Sequence, residues 1–178
     1  MSLGTLVDEA IVRRRDALAQ WQAEDTDCYR LFSGNTEGFP GLDIDRMGPI
    51  LLIQTWKYPL DTGELETLTK VCSEALGVVL RPCWNHHSRP LDFARWHRPL
   101  IPAICIGREL GISYQVQTRH EQPWPLLDPA LRPARRWLQQ HSRGGTVLSL
   151  FSGSCTFGTV AATSGAAEVW NVDRSAIS

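Results

Sequence analysis

The 178-residue chain sets 18 Lys and Arg against 19 Asp and Glu, for a formal net charge of −1, and is 43% hydrophobic and 21% charged. Such proportions belong to one globular domain or two small ones, and they exclude the basic signature of bulk nucleic-acid binding, although a local basic patch stays compatible with RNA. No apolar run reaches membrane-spanning length and the N-terminus has no signal-peptide stretch, so no membrane partner is expected.

Residues 5–24 are predicted as one amphipathic helix, with Val7, Ala10, Ile11, Ala17, Leu18 and Trp21 near helical spacing. Its Arg13–Arg14–Arg15 triplet reads as a solvated face, with RNA phosphates as the alternative. Residues 29–56 have the pattern of a β-meander. Strands are expected at 29–32, 42–45 and 50–56, with Gly- and Pro-punctuated turns between them. Asp43 and Asp45 lie two apart and so share a strand face, which predicts an exposed polar edge. A helix over 61–77, capped by Gly77, and a strand over 78–84 follow.

The stretch 85–102 is rich in Pro and Trp and reads as irregular. Its adjacent His86 and His87 would point to opposite faces of an extended chain, and His97 is ten residues on, so no metal site is predicted. Residues 104–106 and 112–118 read as a hairpin. Beyond a Pro-rich connection at 121–129, a helix is predicted over 129–142, with Asp128 as N-cap and Pro129 at its first position. The five cysteines, Cys28, Cys72, Cys83, Cys105 and Cys155, form no CxxC pair, which suits a reducing cytosol better than disulfides or zinc.

The last segment carries the chemistry. An apolar strand at 146–151 enters the small-residue turn Ser152–Gly153–Ser154–Cys155, a helix follows, and a second strand at 168–172 ends on Asp173. This is the opening βαβ element of a nucleotide-binding sheet, with helix N–H groups at the loop and an acid about 20 residues on for a ribose hydroxyl pair. Gly153 and Gly158 do not make GxGxxG, and no Lys-Ser/Thr pair marks a Walker loop. S-adenosylmethionine, which has no pyrophosphate, therefore suits the loop better than NAD. A βαβ core without ligand stays open.

The segment LRPARRWLQQHSRGGTVLSLFSGSCTFGTVAATSGAAEVWNVDRS resembles the bacterial S-adenosylmethionine-dependent methyltransferases of the large-subunit ribosomal RNA cytosine-C5 and guanine-N2 type. That family carries VLNLFSYTCAFSVAA and VVNVDMS at the corresponding places. Upstream, YRLFSGNTEGFPGLDIDRMG is similar to the YRLVNGEGDGLPGLVVDRYG of its companion domain. The resemblance implies an α+β module followed by the first βαβ of an α/β Rossmann-like class I methyltransferase domain. Its parts would be an N-terminal helix (1–24), a small α+β companion on the RNA side (25–120), and a linker helix with an incomplete cofactor domain (121–178).

The resemblance also implies that Phe151, Ser152, Gly153 and Cys155 form the cofactor loop and that Asp173 holds the ribose. Arg174 would edge the adenine, and Arg132 would sit beside the cofactor. The family's aspartate two residues before that arginine is Ala130 here, with Asp128 two positions early, and Asn35 and Glu37 replace a Glu/Asp pair. No catalytic residue is nominated, because the family's base-holding segment and attacking cysteines lie further along than this chain runs. The expectation is thus a catalytically incompetent N-terminal portion of a cytoplasmic enzyme with ribosomal RNA as substrate. Its unpaired strands would favour a homodimer through the incomplete sheet. The alternative is a non-enzymatic RNA- or protein-binding module built on the same scaffold.

Overall fold

The computed structural model describes residues 2–87, 104–118 and 126–174. The chain divides into two compact units, Met1–Pro123 and Trp124–Ser178.

The first unit begins with α1 (Leu3–Arg13) and α2 (Arg15–Ala23), followed by β1 (Cys28–Ser33), the one-turn α3 (Gly34–Glu37), β2 (Leu42–Met47) and β3 (Ile50–Thr55). Then come α4 (Thr62–Leu76), β4 (Arg81–His86), β5 (Ile104–Glu109) and β6 (Ile112–Gln117). Strands β1 to β4 form one sheet in that order, antiparallel except for the parallel β3–β4 pair, which α4 connects. Strands β5 and β6 form a separate antiparallel hairpin.

Side-chain alternation explains how this sheet is covered. Tyr29, Phe32, Ile44, Leu51 and Ile53 share one cluster with Val7, Ala10 and Ile11 of α1 and Leu65, Leu68 and Cys72 of α4. The opposite face carries Cys28, Met47 and Leu52, and the hairpin lies against part of it. Cys105 Sγ is 3.5 Å from Met47 O, and Asp27 N–H donates to Arg108 O at 2.9 Å. A Cβ on Gly107 would collide with Cys28 Sγ, so only glycine lets the hairpin approach. With both faces covered, every residue of β3 is buried.

Helix α4 is bounded as its sequence dictates. Asp61 and Glu64 form a reciprocal capping box, and Gly77 ends the helix in the left-handed region at φ 64°.

Several sequence expectations change in this unit. The helix predicted over 5–24 is broken at Arg14, whose φ of −93° and ψ of 4° leave the helical well. The Arg14 side chain turns back to donate to Ala10 O at 2.8 Å and to Glu37 at 2.6 Å, so the triplet is not a wholly solvated face. Strand β4 starts at Arg81 rather than 78, because Val78 N–H closes the end of α4 on Ser73 O and Val79 faces solvent. His86 belongs to β4 rather than to an irregular stretch, whereas His97 lies outside the described residues.

The second unit holds a 3-10 turn (Pro129–Leu131), α5 (Arg132–His141), β7 (Thr146–Leu150), α6 (Thr156–Thr163) and β8 (Glu168–Val172). Asp128 caps the 3-10 turn through Ala130 N–H at 2.9 Å, so the helix predicted from 129 opens with a tighter turn. Strands β7 and β8 pair in parallel, Leu148 opposite Trp170 and Leu150 opposite Val172. The other strand face meets α6, where a Cβ on Gly158 would collide with the Asn171 side chain. The outer face of Leu148, Leu150, Trp170 and Val172 is exposed.

Candidate functional site

The turn between β7 and α6 runs through three left-handed residues: Phe151 at φ 56°, Gly153 at φ 49° and Cys155 at φ 57°. Glycine tolerates this region, but a bulky side chain such as Phe rarely occupies it. The turn is fastened on several sides. Ser152 N–H extends the ladder to Val172 O at 3.1 Å, and Cys155 N–H closes on Ser152 O at 2.7 Å. Ser154 Oγ donates to Leu126 O. Gly153 N–H donates to Asp173 Oδ2 at 2.8 Å.

The loop and the strand-terminal acid, named separately in the sequence, are therefore joined directly. Cys155 precedes α6 without making a side-chain cap, and a Cβ on Gly153 would meet nothing within 4 Å. That open space, together with the N–H groups of the first turn of α6, leaves room for a ligand to approach the backbone.

Arg174 follows Asp173 and is exposed, whereas Arg132 is buried at the start of α5. Sequence reasoning gave no role to Arg135, which is fully buried and donates to Asp128 O at 2.6 Å. Its guanidinium lies 5.8 Å from the centre of the Phe157 ring, tying α5 to the first turn of α6. The available signal was its spacing of three from Arg132, which puts both on one helix face.

In the first unit, Asp43 and Asp45 are not an exposed edge. Asp45 accepts from Arg30 Nε at 2.8 Å and Nη2 at 3.0 Å, and Asp43 accepts from Arg30 Nη1 at 2.8 Å. A β-bulge between Arg30 and Phe32 keeps Arg30 opposite Asp45. The two acids thus fix an arginine between β1 and β2. Nearby, Glu37 accepts from Arg13, Arg14 and Ser33 N–H. Burial by itself raises its pKa, but the Arg14 and Ser33 bonds, with Arg13, outweigh it and hold the carboxyl below the ordinary value.

The histidines make separate contacts. His86 Nδ1 is 2.8 Å from Thr55 Oγ1, whose oxygen also receives Trp84 Nε1–H at 2.9 Å. His87 stacks on Trp56 and reaches Gln54 Oε1 at 3.1 Å. Burial pushes the Cys72 thiol up to about 12 and raises Cys28 and Cys105, so these three are poorly suited as nucleophiles.

No protein-family model matches the chain. A large-subunit ribosomal RNA methyltransferase of Deinococcus radiodurans is 32% identical over 96% of this chain and 43% of its own length. The large-subunit ribosomal RNA methyltransferase I of Shewanella denitrificans is 29% identical over 84% of the chain and 38% of its own length. This chain is a distant homologue of the large-subunit ribosomal RNA methyltransferases. It spans about 40% of the length of these methyltransferase relatives.

The fold is similar to that of solved methyltransferase structures. One, crystallised with SAH, superposes with a TM-score of 0.73 at 23% identity, covering 98% of this chain and 46% of its own. Another, from Streptococcus mutans and described as S-adenosylmethionine-dependent, gives 0.71 at 24% identity, with the same coverage. Among the described residues, no helix is long and apolar enough to cross a membrane.

Proposed function

We propose that this chain is the part of an S-adenosylmethionine-dependent methyltransferase that carries the cofactor loop, and that the enzyme modifies a base of ribosomal RNA. The observation that carries this reading is the 2.8 Å contact between Gly153 N–H and Asp173, which puts a carboxylate beside an open, glycine-containing loop. The cofactor would supply a methyl group activated on a sulfonium. The names of the curated relatives support ribosomal RNA as the substrate.

In this reading the backbone of Phe151, Ser152, Gly153 and Cys155 lines the methionine side of the cofactor, and Asp173 accepts its ribose hydroxyls. Arg174 edges the adenine. Arg132, buried in the first turn of α5, supports the cofactor from the α5 side. These residues bind and orient; none is assigned contact with the RNA atom that receives the methyl group.

A nitrogen-15 NMR titration tests the reading. S-adenosylhomocysteine is expected to shift the amides of residues 151–155 and 173, and NAD is expected to leave them in place. Shifts with NAD alone, or with neither ligand, overturn the assignment.

A further inference from the structure

In the turn from β7 to α6, left-handed residues alternate with others at 151, 153 and 155. Left-handed backbone at a bulky residue persists only where its surroundings over-determine it. Of the fastenings on this turn, the Ser152 bond continues the strand ladder and the Cys155 bond closes the turn on itself. The Ser154 hydroxyl ties one flank to Leu126 O. Only the Gly153 N–H, in the middle of the turn, is held by a charged side chain, that of Asp173. A hydrogen bond to an ionised acceptor is the stronger kind.

We infer that Asp173 is the positioning residue of the loop: its carboxylate sets Gly153, and with it the backbone from Phe151 to Cys155, before a ligand arrives. The same carboxylate goes on holding Gly153 when ribose hydroxyls reach it. An ionised carboxylate offers about four acceptor positions, and the bond to Gly153 takes up one of them. The ribose duty rests on the cofactor reading above, whereas the hold on Gly153 rests on the 2.8 Å bond itself. One consequence separates them. Removing the carboxylate should weaken even a ligand that has no ribose hydroxyls, because the loop it binds would no longer be set.

Amide hydrogen exchange on the full chain tests this without any ligand. Gly153 N–H should exchange about tenfold faster in Asp173→Ala than in the unaltered chain, with Leu148 and Trp170 amides unchanged. Asp173→Asn keeps an acceptor oxygen and should restore part of the protection. Should Asp173→Ala lose the strand amides as well, Asp173→Asn against the unaltered chain carries the comparison, with a smaller acceleration at Gly153 alone. The second arm compares S-adenosylhomocysteine with its 2′,3′-dideoxyribose counterpart, and Asp173→Ala should weaken both. Gly153 exchange that ignores both substitutions overturns the inference, as does an affinity for the dideoxy ligand that Asp173→Ala leaves intact. If the unaltered chain binds neither ligand, the cofactor reading fails, while Gly153 exchange still decides whether Asp173 positions the loop.

Discussion

Among the described residues, two parallel strand–helix–strand elements occur, and they are finished to different degrees. In the first unit, β3–α4–β4 sits inside a four-stranded sheet, its helix is 15 residues long with a capping box, and all of β3 is buried. In the second, β7–α6–β8 stands as a two-stranded sheet, its helix has eight residues and no side-chain cap, and β7 alternates exposed with half-buried residues. The first element is held by burial on both faces. The second is held on one face only, and its ordered feature is the loop with three left-handed residues fastened to Asp173. Identical connectivity therefore serves packing in one place and, as we propose, ligand approach in the other.

The sharpest way to break this contrast is a matched pair of truncations. Leu52→Ala in β3 should cost about 2–5 kcal/mol of stability, measured by urea unfolding, because it leaves a cavity in a fully buried strand. Leu148→Ala in β7, a site 60% exposed, should change stability by less than about 0.5 kcal/mol. Similar costs at the two sites would mean that the outer face of β7 is covered in solution.

A smaller loss is expected from Asp45→Ala. It strips two of the charged bonds from Arg30, and because that arginine is about one-third exposed, about 2 kcal/mol is expected rather than the full cost of a buried pair. The same unfolding experiment checks it.

The smallest effect is on pH dependence. Glu37 ionises below its ordinary value of 4.5 when folded, so its contribution is present above 4.5 and fades as pH falls through the lower folded value. Unfolding curves of the unaltered chain and Glu37→Gln should therefore differ at neutral pH and converge as that range is crossed. A constant gap down to strongly acidic pH would show that the carboxylate charge is not what Arg13 and Arg14 recognise.

Much of the first unit was legible because its signals are local. The apolar run of β3 and the capping glycine at 77 each lie within one element or at its end, whereas the Asp61–Glu64 box came only from the structure. What escaped the sequence depends on distant partners. Arg30 meets Asp43 and Asp45 only through the pairing of β1 with β2, and Glu37 is bound by arginines more than 20 residues earlier. At the candidate site, spacing placed Asp173 correctly as a strand-terminal acid, but its bond to Gly153 is a tertiary contact. Left-handed Phe151 and Cys155 escaped for another reason. Neither residue type favours that conformation, so no propensity announces it.

One small network in the first unit has one fixed direction and one open one. Trp84 Nε1 can only give a hydrogen, and it gives it to Thr55 Oγ1. The hydroxyl keeps its own proton and a second lone pair, and either can meet His86 Nδ1 at 2.8 Å. An Nε2-protonated ring would receive the hydroxyl hydrogen there, and an Nδ1-protonated ring would give its own. The tautomer of this ring, at the end of β4, therefore sets which way the second bond runs.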